Sequence, residues 1–508
     1  MTLRQWAVVI TVSIGAMLEV IDVSICNVAL PHIQANLGAT LAEAGWVVTG
    51  YAMASVVMIP LSEWLSARFG PRNYFVFCLA GFTASSVLCG LAPNLTVLVL
   101  ARIAQGLLGG GLLPKAQAIL FQVVPPALQA MAQGVFGVVV LAGPALGPTL
   151  GGFLTDGPGW RWIFFINLPF GILTVLLALM TLPPDPQPGS GPAGRDRRVD
   201  WIGILLLTAG LGSLQVVLEQ GHQFDWFTNP GIVQLSLLAA VALPLFVRWE
   251  LRSAAPAVDL RVLRHRSLAA GSLFSLVLGM GLYGTVFVVP IFAQTVLQFT
   301  ATQTGLLMLP GALASAFTMV VLGRNANRCD PRLLIVIGAV AMVITMLQLA
   351  AIGPDTGDQS LFWPLIFRGV TTVMMFLPLS LATLGPLPKA DVGAGSGFFN
   401  LTRQLGGTFG IAVLTVVLDH QRAVHRSQLV QHLATTNPLV QQRVQALQLW
   451  LAQSGAGGDV HDQALQLLSQ QVDRQAALLA YGDVFRLVAL VFVLAIPLVA
   501  LLGRPARA

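Results

Sequence analysis

The segment Ala142–Gly152 reads AGPALGPTLGG, and its glycines recur every four residues. On an α-helix this spacing places them on one face, so that a second helix can approach almost to backbone contact. The prolines that follow two of these glycines remove backbone donors and bend the helix. The motif consists of Gly143, Pro144, Gly147, Pro148, Gly151 and Gly152. A bent helix with a glycine face predicts a moving joint inside a membrane, and the simpler alternative is a helix-packing motif.

The composition is that of an integral membrane protein. Of the 508 residues, 56% are hydrophobic and only 9% are charged, whereas about a quarter of residues are charged in soluble domains. About fourteen apolar runs of nearly twenty residues recur along the chain, and each can cross a hydrocarbon core of about 30 Å. The GxxxxGK[ST], GxSxG, HExxH and CxxC patterns are absent. The sequence therefore predicts a membrane protein that is not an enzyme, has no metal site and does not hydrolyse ATP itself.

The basic residues lie in alternate loops, which argues against nucleic acid as the partner of this chain of net charge +6. The intervening short loops carry almost no basic residue, with Arg161 as the exception. By the positive-inside rule both termini are predicted in the cytoplasm, with the chain in the inner (plasma) membrane. The basic residues of the cytoplasmic loops are Arg68, Arg72, Arg195, Arg197, Arg198, Arg248, Arg252, Arg261, Arg264, Arg266, Arg324, Arg328, Arg332, Arg504 and Arg507.

The apolar runs divide into an all-α fold of two six-helix bundles with two inserted helices between them. The predicted N-terminal bundle covers residues 1–182, and a Pro-, Gly- and Arg-rich cytoplasmic linker covers 183–200. Two inserted spans and an amphipathic segment follow at 201–267, and the C-terminal bundle occupies 268–508. A shift of 260 residues lays Pro71 on Pro331 and Arg72 on Arg332. The bundles are therefore interpreted as parallel repeats, as in transporter halves.

The only long hydrophilic segment, residues 419–483, is predicted to be a helical hairpin on the periplasmic side. Two apolar stripes at helical spacing flank a turn at Ser454–Gly458. The stripes are Leu439, Val440, Val444, Leu447 and Leu451, then Leu465, Leu468, Val472 and Leu479. Two interpretations stay open: a self-packed cap on the outer face, and a surface that docks a partner protein.

Charged side chains at membrane depth are costly, so they are the first candidates for function. Glu19 and Asp22 lie three residues apart on one helical face, where each needs a proton or a partner. Such carboxylates can take a proton from one side of the membrane and release it to the other. Arg102 and Arg403 are the cations that we expect to hold a nearby acid ionised. For Asp22 the alternative is a structural acid near the end of its span.

A second set of side chains is predicted to line an apolar cavity for substrate. Aromatic and methionine side chains on helices are more often packing residues than pocket residues, so packing is the alternative. The predicted lining residues are Trp46, Tyr51, Met53, Phe399, Asn400 and Gln404.

Five segments resemble signatures of the fourteen-span EmrB/QacA branch of drug:proton antiporters in the major facilitator superfamily. The glycine- and proline-rich segment resembles the antiporter motif, and the other four are LEVIDVSICNVALP (Leu18–Pro31), LARIAQGLLGG (Leu100–Gly110), WRWIFFINLPFG (Trp160–Gly171) and NLTRQLGGTFG (Asn400–Gly410). The hairpin and the run AYGDVFR (Ala480–Arg486) resemble the EmrB side of the branch.

The resemblance implies roles for residues and partners. It implies that Asp22, Arg102 and Arg403 couple transport to protons, and that Gly143–Gly152 is the joint between the halves. Glu19 is supported mainly by its own position. The resemblance also implies an exporter driven by the proton motive force without a cofactor, working with a periplasmic membrane-fusion adaptor and an outer-membrane channel.

The loop after the second span departs from the pattern of that family. It reads SEWLSARFGPR (Ser62–Arg72), with Glu63 and Ala67 where the family usually has a glycine and an acid. We expect Glu63 to supply the missing acid one turn away. The predicted residues of this cytoplasmic gate are Glu63, Arg68, Arg72, Arg328 and Arg332.

These patterns predict a secondary transporter that exports amphipathic or hydrophobic compounds in exchange for protons by alternating access. Within transport, the alternative is a proton-coupled exporter of a specific metabolite or siderophore, or an importer. An alternative of another class is a membrane receptor or scaffold whose hairpin recruits partners. The acids and arginines inside the membrane favour transport, because an anchor does not need them.

Overall fold

The fold was analysed in a computed structural model, which describes residues 2–185, 199–325, 329–353, 358–433, 437–453 and 459–502. All regular structure in these ranges is helical. The helices of the N-terminal half are α1 (Leu3–Leu37), α2 (Leu41–Phe69), α3 (Pro71–Leu91), α4 (Leu95–Gly109), α5 (Leu112–Val123), α6 (Pro126–Asp156), α7 (Trp162–Phe165) and α8 (Asn167–Thr181). Two spans of this half are broken, because α4 leads into α5 through Gly110 and Gly111, and α7 leads into α8.

Two inserted helices and a second half follow. The inserted pair is α9 (Trp201–Gln220) and α10 (Pro230–Arg252). The C-terminal half consists of α11 (Arg266–Thr295), α12 (Ala301–Asn325), α13 (Pro331–Ala350), α14 (Asp358–Leu384), α15 (Val392–Gln431), α16 (Pro438–Gln453) and α17 (Val460–Ala495). The amphipathic segment before α11 contains a short 3-10 helix at Leu260–Arg264.

These helices fit a membrane-spanning fold. Within the described ranges, 13 helical segments are long and apolar enough to cross a membrane. The helix α6, with 31 residues, adds a further segment that includes the apolar stretch Pro126–Val140. The predicted all-α membrane fold is confirmed.

The helical bundle has two ends, which we call the linker side and the hairpin side after the segments that lie there. The linker side carries the end of α8 and the start of α9, which flank residues 186–198. The hairpin side carries α16. Because α2 ends and α15 begins on the linker side, residues near Phe69 and Val392 lie at the same end of the molecule.

The segment predicted to form the helical hairpin, residues 419–483, contributes the end of α15, the whole of α16 and the beginning of α17. Its first arm corresponds to α16, whose Val444, Leu447 and Leu451 pack against Ala464. Its second arm is the beginning of α17, which continues without a break into the last membrane span. The reason is that Val460–Ala495 contains no proline and only one glycine. The predicted turn at residues 454–458 lies outside the described residues.

The two halves use an aligned Pro-Arg pair in the same way. Both α3 and α13 begin with that pair. The Arg72 guanidinium donates a hydrogen bond to the Leu179 carbonyl at the end of α8. The Arg332 guanidinium donates to the Leu502 carbonyl, just after the last helical turn of the chain. In each half, therefore, the arginine at the start of the third span holds the end of the last span.

The glycine face of α6 lies against α1, which belongs to the same half. A Cβ atom at Gly143 would lie 2.8 Å from Val20, and one at Gly151 would lie 3.3 Å from the Ile25 carbonyl oxygen. A Cβ atom at Gly147 would overlap the side chain of Ser24. The helix that packs on the motif glycines is therefore α1, and the role of Gly143–Gly152 as the joint between the halves stays a prediction. The side chains of Pro144 and Pro148 lie outside the described residues.

A different face of α6 meets the C-terminal half. A Cβ atom at Gly134 would lie 3.0 Å from the Met319 carbonyl oxygen and 3.3 Å from Gly323, both on α12. Toward the hairpin side, the Thr149 hydroxyl oxygen lies 3.3 Å from the position that a Cβ atom on Gly305 would occupy. Gly134 and Gly143 differ by nine residues, which is about two and a half helical turns. Sequence spacing placed the motif glycines together correctly, but it did not say which neighbour they face.

We expect Gly147→Ala to destabilise the protein by about 1–3 kcal/mol, because its methyl group has to push α1 and α6 apart. Gly152→Ala is the matched control, since no atom lies within 4 Å of a Cβ at that position. The measurement is the apparent melting temperature of both variants in detergent. Equal melting temperatures for the two variants would contradict the assigned α1–α6 contact.

Candidate functional site

Asp22 lies in a closed polar cluster inside the N-terminal half. Its carboxylate accepts from the Arg102 guanidinium at 2.5 Å, from the Gln105 amide at 3.1 Å and from the Asn167 amide at 2.7 Å. Asn167 also donates to Ser86 at 3.0 Å. Asp22 is 2% exposed and Arg102 is fully buried. Because its charge is matched by a cation and by further donors, Asp22 is stable as a carboxylate at this depth.

The other side of Arg102 is also occupied. Its Nε donates to the Val47 carbonyl oxygen at 3.0 Å, and its Nη1 donates to Gln105 at 2.8 Å. The guanidinium lies over the ring of Tyr51, 4.3 Å from the ring centroid. Such a cation–π contact adds to the stability of a desolvated arginine. Arg102 thus ties together α1, α2 and α4.

Glu19 has different surroundings, although it lies only one helical turn before Asp22. Its carboxylate accepts from the backbone N–H of Leu113 at 3.0 Å, at the start of α5. This N–H is available because the break between α4 and α5 leaves the first turn of α5 without helical acceptors. Glu19 is 7% exposed, and no ion pair to it is found within 4.0 Å among the described residues. The geometry therefore leaves Glu19 as an acid without a matched cation.

Arg403, the second of the predicted coupling arginines, belongs to the other half. It is buried on α15, where its Nη2 donates to the Asn400 side chain at 2.7 Å. Its guanidinium lies 5.3 Å from the centroid of the Phe376 ring. No carboxylate lies within 4.0 Å of it in the described part of the chain. Each half therefore buries one charged group, Glu19 or Arg403, that has no oppositely charged partner within 4.0 Å in the described residues.

Polar side chains join the two halves on the linker side of these charges. The Gln117 amide donates to Ser380 at 2.9 Å, and its oxygen accepts from Asn400 at 2.7 Å. The Gln133 amide donates to the same serine at 2.5 Å, and the Ser396 hydroxyl lies 3.2 Å from the Gln117 oxygen. All five side chains are buried. This polar belt closes the interface between α5 and α6 on one side and α14 and α15 on the other.

Glu63 lies at the linker end of the same interface. It pairs with Lys115 of α5 at 3.3 Å, and that lysine is buried. A Cβ atom at Gly393, in the first turn of α15, would overlap the Glu63 carboxylate. Glu63 therefore contacts both halves, and its cation comes from α5.

The remaining predicted gate residues lie in three different settings. Arg68 lies over the Trp64 ring at 5.7 Å. Arg72 and Arg332 hold the ends of the last spans, as described above, and Arg328 lies outside the described residues. The acid of the loop after the second span is Asp185, which accepts from the Arg72 and Asn73 backbone N–H groups at 2.9 Å each. Asp185 reaches this loop from the end of the first half, whereas Glu63 pairs with Lys115, and the gate role of Glu63 stays a prediction.

A model of the major facilitator superfamily matches residues 12–411 of the chain. The chain belongs to this superfamily. It is 32% identical over 494 residues to the multidrug export protein EmrB of Escherichia coli, covering 96% of this chain and 94% of that protein. It is 31% identical to the fatty acid resistance protein FarB of Neisseria gonorrhoeae, with 98% and 96% covered. The resemblance to the EmrB type is therefore confirmed.

Solved structures support the same superfamily fold. The human organic anion transporter MFSD10 (TETRAN) aligns with a TM-score of 0.61 at 15% identity, covering 96% of this chain and 99% of that one. The proton:xylose symporter XylE also aligns with a TM-score of 0.61, at 14% identity, with 96% and 94% covered. At these identities the match concerns the fold alone.

The residues predicted to line a substrate cavity are dispersed in this superfamily fold. Tyr51 is buried under Arg102, and Phe399 is fully buried in the core. Met53 faces the inserted helix α9, where it lies 3.5 Å from the position of a Cβ on Gly212. Asn400 belongs to the polar belt, and Trp46 and Gln404 are half-buried. The sequence does not reveal that α2 packs against α9. The α2 residues predicted to line a cavity were therefore chosen without knowledge of this neighbouring helix.

Sequence reasoning missed several polar partners of the site. Gln105 and Asn167 both lie inside segments that carry the family resemblance, and Gln105 follows Arg102 at helical spacing. The helical spacing of Arg102 and Gln105 therefore indicated that the two side chains could interact. The belt residues Gln117 and Ser380 carry no such signal, because they are joined only by the packing of the two halves.

We expect Asp22→Asn to destabilise the protein strongly, because it leaves the buried charge of Arg102 uncompensated, at about 3–5 kcal/mol. Glu19→Gln keeps an acceptor for the Leu113 N–H and removes no matched ion pair, so its cost is expected to be below about 1 kcal/mol. The apparent melting temperatures of both variants in detergent test this difference. A larger loss for Glu19→Gln would contradict the assigned roles.

Proposed function

We propose that the protein is a proton-coupled exporter of amphipathic and hydrophobic compounds that works by alternating access. The observation that carries the proposal is the burial of Glu19 in one half and of Arg403 in the other, each without an oppositely charged partner within 4.0 Å in the described residues. The names of the relatives support the substrate class, since EmrB is called a multidrug export protein. In this role the chain needs no cofactor and uses the proton motive force.

In the proposed cycle, the Glu19 carboxylate and the Arg403 guanidinium attract each other across the interface while Glu19 is ionised. Protonation of Glu19 removes that attraction, so the two halves separate more easily around Glu19 and Arg403. An amphipathic substrate that enters between the halves next to Asn400 competes for the same groups. Each proton that moves inward yields about 2.3 kcal/mol per 100 mV, which supports a solute gradient of roughly fiftyfold.

Asp22 has a supporting role in this proposal. Its pairing with Arg102 keeps a permanent dipole one turn from Glu19 and fixes α1 against α2 and α4. Glu19 then titrates on a helix whose position is set by that ion pair. The coupling residues of the proposal are Glu19, Asp22, Arg102 and Arg403.

For the orientation, we propose that the linker side is cytoplasmic and that the protein resides in the inner membrane. The support is the concentration of arginines in the loops of that side. The polar belt and the Glu63–Lys115 pair lie on the linker side, so the structure corresponds to a state that is closed toward the cytoplasm.

We also propose that the hairpin side meets a periplasmic adaptor that leads to an outer-membrane channel. The proposal follows from the sequence resemblance to the EmrB side of the family. The helices of the hairpin side form a partly open cavity of about 520 Å³, lined by apolar residues such as Val444 and Leu468 and by polar residues such as Arg426, Gln445 and His461. Such a surface suits either an apolar segment of an adaptor or a substrate in transit.

The test uses everted membrane vesicles whose interior is made acidic, with a fluorescent dye that reports proton release. We expect several unrelated cationic and neutral amphiphiles to release protons through the intact protein. Glu19→Gln is expected to abolish this release, because the amide cannot exchange a proton.

The matched control is Glu43→Gln. Glu43 is an exposed acid in the capping box at the start of α2, and glutamine preserves that box. Its proton release should equal that of the intact protein at equal amounts in the membrane. Release by a single metabolite would support a narrow exporter instead, and no release across a broad panel would contradict export altogether.

A further inference from the structure

The inserted helix α9 places a second acid, Glu219, at a junction between the two halves. The Gln215 amide Nε2 donates to Glu219 Oε1 at 2.7 Å and to the Thr408 hydroxyl of α15 at 3.1 Å. One turn away, the Gln220 amide donates to the Thr49 hydroxyl of α2 at 2.7 Å. This helix therefore binds α2 of the N-terminal half and α15 of the C-terminal half through polar side chains.

These polar groups are desolvated, so their partners matter. Gln215 is fully buried and Gln220 is 2% exposed. Three buried oxygens of the group, Gln215 Oε1, Glu219 Oε2 and Gln220 Oε1, have no hydrogen-bond partner in the described residues. Unpaired oxygens at this depth are costly. A helix that only anchored the chain in lipid would not carry them.

The contacts of α9 with the two halves are unequal. The helix α9 packs against α2 over much of its length. A Cβ atom on Gly45 of α2 would lie 3.1 Å from the Gln220 amide nitrogen. Against α15 the polar contact of α9 in the described residues is the Gln215–Thr408 hydrogen bond, and His222 of the connection that follows α9 forms an exposed pair with Asp419 of α15 at 2.9 Å. When the halves rock, α9 therefore stays with α2, and its contacts with α15 are the ones that open and close.

We propose that Glu219 is a second proton-sensitive residue of the transport cycle, which acts by positioning Gln215 so that α9 latches onto Thr408. The proposal rests on the alternating-access function proposed above. Thr408 donates its own hydroxyl hydrogen to the Gln404 carbonyl at 3.2 Å, so toward Gln215 it acts as an acceptor. The latch therefore needs an N–H of Gln215 on that side, and the Glu219 carboxylate holds the amide in that orientation.

The protonation state of Glu219 changes the strength of this hold. An ionised carboxylate makes a charge-assisted hydrogen bond that is roughly twice as strong as a neutral one. Protonation weakens the bond from Gln215 and frees its amide to turn, which loosens the contact with Thr408. The latch closes with ionised Glu219 and opens with the protonated acid.

Few other ionisable groups lie at this junction. The helix α10 has none before Arg248, near its linker end. The titratable and charged groups that the neighbouring elements bring to this region are Glu43 and Tyr51 of α2, Arg403 and Asp419 of α15, and His222 and Asp225 of the connection between α9 and α10. His222 is the alternative pH sensor, because its pair with Asp419 depends on its protonation.

The test measures the distance between α15 and the connection that follows α9 by double electron–electron resonance at pH 5 and pH 8. Spin labels are placed at Phe227→Cys and Ala423→Cys, two exposed positions on the hairpin side. The one exposed native cysteine of the described residues, Cys329, is replaced by serine. The readout is conformational, so it does not depend on which substrate is transported, and it stands even where the export assay fails.

Thr408→Val removes the acceptor of the latch and keeps the shape of the side chain. It is expected to lower the ratio of closed to open latch at pH 8 by about fivefold. Thr415→Val is the matched control, because Thr415 lies on the same helix and makes the same kind of bond to the carbonyl four residues earlier. A Thr408→Val distribution equal to that of Thr415→Val would overturn the latch.

Glu219→Gln is expected to abolish the change in the distance distribution between pH 5 and pH 8. The full change should remain in Glu43→Gln, which alters an acid of the same region outside the latch. A pH response that persists in Glu219→Gln and disappears in His222→Gln would assign the sensor to His222 and overturn the role of Glu219.

Discussion

A charge buried inside a membrane protein has to be matched by a neighbour, and this constraint organises the interior of the N-terminal half. The Asp22–Arg102 ion pair at 2.5 Å satisfies it most completely. Its hydrogen bonds reach Val47 on α2 and Asn167 on α8, so one pair of opposite charges sets the positions of four helices. Since neither charge can be exposed without a large cost, these helices move as one body.

Beside this rigid group of helices lie buried charged groups that have no oppositely charged partner in the described residues. Glu19 lies one turn from the ion pair but accepts only a backbone N–H of α5 within the described contacts. The break between α4 and α5 is what presents that N–H, since a continuous helix would have used it internally. Arg403 is a second buried charge without an oppositely charged partner within 4.0 Å in the described residues, and it belongs to the other half.

The interface between the halves differs from their interiors in its chemistry. Along α6 and α12 it is made of glycines and small side chains that permit close approach. Nearer the linker side it is made of neutral polar side chains such as Gln117, Ser380 and Asn400. Hydrogen bonds between neutral groups are easier to exchange than ion pairs, which suits surfaces that part and meet again. The inserted helix α9 repeats this chemistry with Gln215 and Thr408.

The amino-acid sequence by itself determined the membrane class, the helical spans and the charged residues of the site, including Glu19, Asp22, Arg102 and Arg403. These follow from local composition and from spacing along one helix, because lipid forces long apolar helices and makes each buried charge conspicuous. It also indicated that the motif glycines share one face.

Only the tertiary structure decided which neighbour each face meets. It placed the motif glycines against α1, assigned Asp185 to the loop of Arg72, and distinguished the matched Asp22 from the unmatched Glu19. It also joined the second arm of the hairpin to the last span and brought α9 between the halves. The physical reason is that these contacts join residues far apart in the chain. Helical periodicity gives the direction of a side chain around its own axis but not the helix that packs there.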